Sequence, residues 1–295
     1  MSDQAHKIQE IAHGELPDYV AGSSRENRKT KIYSVVSGKG GVGKSNVAIN
    51  LGISMTRFGH RVLLIDADMG LANLDLLLGL TPNYNLMHLL TGKKLLEEVM
   101  ITGPSGIKLI PSNSNGRIEK EVSQQNIKEI MGFIRENPDV PDTVFIDTGG
   151  GITDNILDFL LDSDEVILIT TPEPTSIMDS YGIIKSLSNE KDRVKIKLIV
   201  NMAEDSSDAL HVFETMGLIT RQFFNVEIEN LGWISYDHNV ARAVRQQQPF
   251  VLLYPASRAS KCVSRIAMQL ADYDVDFITE RGVRRLINRL ISFFR

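Results

Sequence analysis

Gly38-Lys39-Gly40-Gly41-Val42-Gly43-Lys44-Ser45 fills every fixed position of the pattern G-x-x-x-x-G-K-[ST]. At average residue usage, a chain of 295 residues matches it by chance roughly once in a hundred sequences. An apolar, β-branched run at 32–36 precedes the stretch, and a helical pattern at 45–58 follows it. Strand, glycine loop and helix in that order form a phosphate cradle. The glycines let the backbone curl until successive N–H groups point inward. The start of the following helix adds the positive end of its dipole. In such a loop Lys44 reaches the β- and γ-phosphates, and the Ser45 hydroxyl ligates Mg²⁺.

Outward from the loop, the chain alternates strands and helices. Apolar runs at 62–65, 107–110, 144–146, 166–170, 194–200 and 231–234 read as further strands. Helical patterns at 123–136, 175–187 and 207–223 lie between them. Continuously apolar strands separated by helices predict a mostly parallel, twisted sheet covered by helices on both faces, the α/β class of the P-loop NTPases. The predicted ATPase domain spans 31–275. A short amphipathic helix (1–14) and a polar linker (15–30) precede it, and a second amphipathic helix (276–295) ends the chain.

Two acidic sites sit where this architecture binds ligands, at the carboxyl ends of parallel strands. The run 62–65 ends in Asp66-Ala67-Asp68, and two residues apart in extended chain these carboxylates face the same way. The run 144–146 ends in Asp147, followed by Thr148 and three glycines that make a loop able to move. An acid closing an apolar strand suits a magnesium-bound water.

Composition narrows the setting. Apolar residues make up 42% and charged residues 23%, as in ordinary globular proteins. Cys262 is the one cysteine, so neither an internal disulfide nor a cysteine-held cluster is expected, and a reducing, cytoplasmic compartment fits. No stretch approaches the about 20 apolar residues of a spanning helix. The net charge is −5, yet residues 281–295 carry five arginines and no acid, so the other 280 residues sum to −10. That excludes a generally basic surface, and no specific nucleic acid is expected as a partner.

The second lysine in the loop, Lys39, makes it similar to the deviant phosphate loop of the MinD/ParA ATPases. The resemblance implies ATP and Mg²⁺ as ligands and a homodimer in the ATP state. In it Lys39 contacts the partner subunit's phosphates much as an arginine finger does. It further implies nucleotide contacts from residues 38–45, Asn46 and the base-reading Asn201, Asp68 as the group that orients the attacking water, and Asp66 and Asp147 in the magnesium shell with Ser45. One departure stands out: where the family often has proline, this chain has Ser235.

The ends point to a branch of that family. Val283, Leu286, Ile287, Leu290, Ile291 and Phe294 form one apolar stripe opposite Arg284, Arg285 and Arg289, the pattern of a helix lying in an anionic membrane surface. Asp3-Gln4-Ala5-His6-Lys7-Ile8-Gln9 resembles the N-terminal motif of the FlhG/FleN-type flagellar-number regulators, with Ile8 and Gln9 in place of Leu-Arg. This implies activation of an FlhF-like GTPase of the signal-recognition-particle class, peripheral attachment to the inner membrane in the ATP state, and contact with flagellar switch proteins or a flagellar transcription regulator. A MinD-type regulator of the division site and a nucleotide-gated scaffold without significant turnover are the alternatives.

Overall fold

The computed structural model describes residues 29–68, 73–112, 124–137, 141–190 and 194–271. The expected N-terminal helix (1–14), most of the expected linker (15–30) and the expected C-terminal helix (276–295) fall outside them. The described elements are β1 (Lys31–Ser37), α1 (Lys44–Thr56), β2 (Val62–Ala67), three short helices α2 (Leu74–Leu78), α3 (Leu86–Leu90) and α4 (Leu96–Val99), then β3 (Ile101–Thr102) and β4 (Lys108–Ile110). There follow α5 (Gln124–Glu136), β5 (Thr143–Gly150), α6 (Asp154–Leu161), β6 (Glu165–Thr170), α7 (Pro174–Ser188), β7 (Lys195–Ala203), α8 (Ser206–Phe224), β8 (Ile228–Ser235), α9 (His238–Arg245), α10 (Phe250–Leu253) and α11 (Arg258–Leu270).

Eight strands form one sheet in the order β3-β4-β2-β5-β1-β6-β7-β8, parallel except for the β3–β4 pair at one edge. Beta-branched and aliphatic residues dominate β1, β2, β5 and β6, whose side chains are almost all buried, because helices cover both faces. Alternation along β1 shows the two sides. Tyr33 and Val35 join a core with α1 and α11, while Ile32 and Val36 face cores built by α5 and by α6, α7 and α8. Tyr33 stacks on Phe145 of β5 at a centroid distance of 5.3 Å, which locks two central strands together.

The expected strands are all present, six of them one to five residues longer and β4 one residue shorter. Not marked in the sequence patterns are β3, α6, α9, α11 and the short helices α2–α4 and α10, whose four- and five-residue lengths show no helical period. The sheet topology serves the site: β2 pairs with β5, and β5 with β1, so Asp66 lies directly beside Asp147 and the glycine loop emerges next to both.

Candidate functional site

The loop leaves β1 at Ser37, whose hydroxyl donates to the carbonyl of Lys39 at 3.0 Å. Gly41 and Gly43 adopt φ of 84° and 87°, the left-handed region where a side chain is strained. At Gly43 a Cβ would also lie 2.5 Å from Nδ2 of Asn201. At Gly38 it would lie 2.3 Å from the main chain of Asp179 on α7. The loop is therefore confined on two sides by neighbours that tolerate only glycine. Helix α1 starts at Lys44 with neither a capping side chain nor an acid in its first turn, which leaves its N–H groups to an anion.

Beneath the loop, Lys44 Nζ donates to Asp147 Oδ1 at 2.6 Å, with both side chains buried. The Ser45 hydroxyl also bonds the Asp147 carboxylate. Burial raises the Asp147 carboxyl above the usual carboxylate range, and Lys44 opposes that shift. A hydroxyl and a carboxylate converging here are hard oxygen donors and fit Mg²⁺. The glycine cradle and Lys44 fit a polyphosphate.

Asp66 is fully buried, and burial together with the neighbouring Asp147 pushes its pKa up to about 7. Its Oδ1 accepts the amide of Asp68 at 3.1 Å, and its Oδ2 accepts those of Asn73 and Leu74 at 3.0 and 3.1 Å. The carboxylate thus ties the amides of Asp68, Asn73 and Leu74 to the end of β2, a role the D-x-D spacing alone did not reveal. Asp68 is turned to the rim instead. Its carbonyl accepts the Ser112 hydroxyl at 2.7 Å, and its Oδ1 would sit 3.5 Å from a Cβ on Gly149. Of the three glycines expected to form a loop, Gly149 and Gly150 instead extend β5, because Gly150 pairs with Ser37. This strand end abuts the cradle: a Cβ on Gly150 would come within 3.2 Å of the Gly40 amide.

Lys39 does not point into the cradle. Its Nζ donates to Glu173 Oε2 at 2.5 Å and to Thr175 Oγ1 at 2.9 Å, at the start of α7. No motif in the sequence marks Glu173, Thr175 or Asp179 as site residues, since their approach to the loop is a contact between distant segments. Asn201, after the apolar part of β7, donates from Nδ2 to the Val42 carbonyl at 2.7 Å.

These groups surround a cavity of about 730 Å³, lined by Lys39, Lys44, Ser45, Asn46, Asp68 and Asn201 among others. Its far wall comes from β8 and α9 and includes Ser235 and Tyr236. Asp66 and Asp147 do not line it and lie deeper, beneath Lys44 and the loop.

A parallel sheet with a glycine cradle at the end of its central strand, a lysine and a serine at the next helix start and an acid in the carboxyl half of the adjacent strand defines a P-loop nucleotide-binding protein. A family profile described as "ParA: NUBPL iron-transfer P-loop NTPase" matches residues 28–271. The chain belongs to the ParA/MinD family of P-loop NTPases. It is 32% identical over 262 residues to the antiactivator FleN of Pseudomonas aeruginosa, covering 89% of this chain and 94% of that protein. It is 31% identical over 300 residues to the flagellum site-determining protein YlxH of Helicobacter pylori, covering 99% of both. Among solved structures, MinD in the Aquifex aeolicus MinC:MinD complex superposes with a TM-score of 0.71 at 24% identity, over 83% of this chain and 97% of that one. MinD from Pyrococcus horikoshii, complexed with Mg-ADP, gives 0.69 at 23% identity, over 85% and 99%.

Proposed function

We propose that this chain is a MinD-like ATPase that dimerises on ATP, docks on an anionic membrane through its C-terminal helix, and regulates flagellar number and placement. The observation that carries the enzymatic part is the convergence of Lys44, Ser45 and Asp147 under a glycine cradle, with Asp68 at its rim. The flagellar part rests on the relatives named FleN and flagellum site-determining protein, which match nearly the full chain. Iron transfer, in the profile's description, is not carried over, because the lone Cys262 is buried in α11.

In this reading Lys44 transfers from Asp147 to the β- and γ-phosphate oxygens, and the loop amides hold the remaining charge. Asp147 and Ser45 would hold Mg²⁺, which would supply neutralisation of phosphate charge. Asp66 holds the Asp68 backbone through its amide, and Asp68 orients and deprotonates the attacking water. Lys39 exchanges Glu173 for the nucleotide of a second subunit. With Nδ2 of Asn201 given to Val42, its Oδ1 is left as an acceptor, which favours the amino group of adenine over the carbonyl of guanine. Activation of an FlhF-like GTPase through residues 1–14 belongs to the same reading.

Equilibrium ATP binding and single-turnover phosphate release test it. Lys44→Ala should lose ATP binding. Asp68→Ala should bind ATP, run as a dimer on size exclusion, and release phosphate about 10²- to 10⁴-fold more slowly. Wild-type turnover by Asp68→Ala would remove it from the mechanism. A second reading, a MinD-type regulator of the division site, draws on relatives such as the putative septum site-determining MinD of Nephroselmis olivacea at 31% identity. Co-purification with flagellar rather than division proteins from the native host separates the two.

A further inference from the structure

We infer that the Ser235 hydroxyl is a base-reading group of the nucleotide pocket. It would donate to one of the two ring nitrogens that flank the amino group of an adenine, beside the Oδ1 of Asn201. The inference rests on the proposed ATP reading and adds a residue that sets base selectivity.

Ser235 ends β8, the strand that forms the far wall of the cavity. It is 5% exposed, and its Oγ has no hydrogen-bond partner among the described residues. An unsatisfied buried hydroxyl costs on the order of 1–3 kcal/mol, so such a group is uncommon in a folded core unless it has a use. The surrounding backbone is built to hold this position. The β7–β8 register shifts between Asn201 and Ala203, which leaves Met202 bulged out at φ 60°, a conformation rare for a side chain of that size. Directly after the bulge Ala203 pairs with Ser235, and the Tyr236 amide donates to the Ala203 carbonyl at 2.9 Å. Strand pairing thus sets Ser235 at the bulge, one position beyond the Asn201–Ile234 pair, and Asn201, Met202 and Ser235 line the same cavity. No hydrogen bond holds the serine in one of its staggered rotamers, so the hydroxyl is free to turn onto a ligand. Asn201 has spent its donor on Val42 and offers an acceptor. The hydroxyl adds the donor that an adenine edge needs next to it.

The test compares wild type, Ser235→Ala and Lys44→Ala by thermal melting without nucleotide and by equilibrium binding of ATP, 1-deaza-ATP and 7-deaza-ATP. Ser235→Ala is expected to melt at or above the wild-type temperature, since it deletes an unpaired group. It should bind ATP about three- to tenfold more weakly. With one of the two deaza analogues, wild type and Ser235→Ala should bind equally, because the ring acceptor is gone. Three results overturn the inference: undiminished ATP binding by Ser235→Ala, an equal loss for all three nucleotides, or a lower melting point without nucleotide. Loss of ATP binding in the wild type itself, or undiminished binding by Lys44→Ala, would sink the underlying nucleotide reading and this inference with it.

Discussion

The two lysines of the loop differ in burial, and this sets opposite expectations for them. Lys44 and Asp147 are 8% and 1% exposed, so removing the lysine strands a buried carboxylate. Lys44→Ala should lower stability by about 3 kcal/mol, measured by urea unfolding without nucleotide. Lys39 and Glu173 are 29% and 65% exposed, and surface pairs of that kind contribute at most about 1 kcal/mol. Lys39→Ala should therefore unfold at the wild-type urea concentration and still bind ADP, yet fail to dimerise on ATP. Identical behaviour of the two variants in an ADP titration would refute the division of labour. Gly43→Ala combines a left-handed backbone with a Cβ pressed on Asn201, so a melting-point drop equivalent to about 1–3 kcal/mol is expected along with weaker nucleotide binding.

At the scale of elements, the pocket wall hangs on one carboxylate. Asp237 caps α9 by accepting the Asn239 amide at 2.9 Å, and its other oxygen accepts the Ala259 amide of α11 at 3.3 Å. Burial pulls its pKa up, but these amides, with Ser257 and Arg258, outweigh it and hold the carboxyl below the usual carboxylate range. A group depressed in the folded state stabilises above its unfolded pKa, and that stability is lost as pH falls through the folded value. Asp237→Ala should cost about 1 kcal/mol at neutral pH. The difference from wild type should shrink below about pH 4, as the unfolded-state carboxyl becomes protonated. A difference that stays constant from pH 7 to pH 2.5 in chemical unfolding would contradict the capping account.

For the molecule as a whole, nucleotide state and location are coupled in the proposed function. No helix among the described residues is long and apolar enough to cross a membrane. Residues 281–295 supply five arginines and, with 283–294, an apolar stripe. One interfacial helix binds lipid marginally, whereas two on one dimer act at high effective concentration once the first is down. Asp68→Ala protein with ATP should co-sediment with anionic liposomes, and protein with ADP should remain in solution. Ile287→Glu should abolish the sedimentation without altering ATP affinity. Equal sedimentation in ATP and ADP would refute dimer gating, and loss of folding in Ile287→Glu would assign the stripe to the core.

The sequence by itself determined the architecture and the cradle, because both depend on local regularities. Apolar strands such as 32–36 and 166–170 are written in consecutive residues, and so is the glycine spacing from Gly38 to Lys44. It also located Asp66 and Asp68 at the end of β2, whereas Asp147, expected to close its strand, lies within β5, which runs on to Gly150. What those side chains touch was decided by tertiary structure. The β2–β5 register sets Asp66 beside Asp147, and burial there turns Asp66 into an anchor for backbone amides. Lys39 meets Glu173 across 134 residues, and Asn201 meets Val42 across 159. The orphaned hydroxyl of Ser235 depends on a bulge two strands away from the loop it serves. Such contacts join segments distant in the chain, and no local period or motif records which strand pairs with which, or in what register.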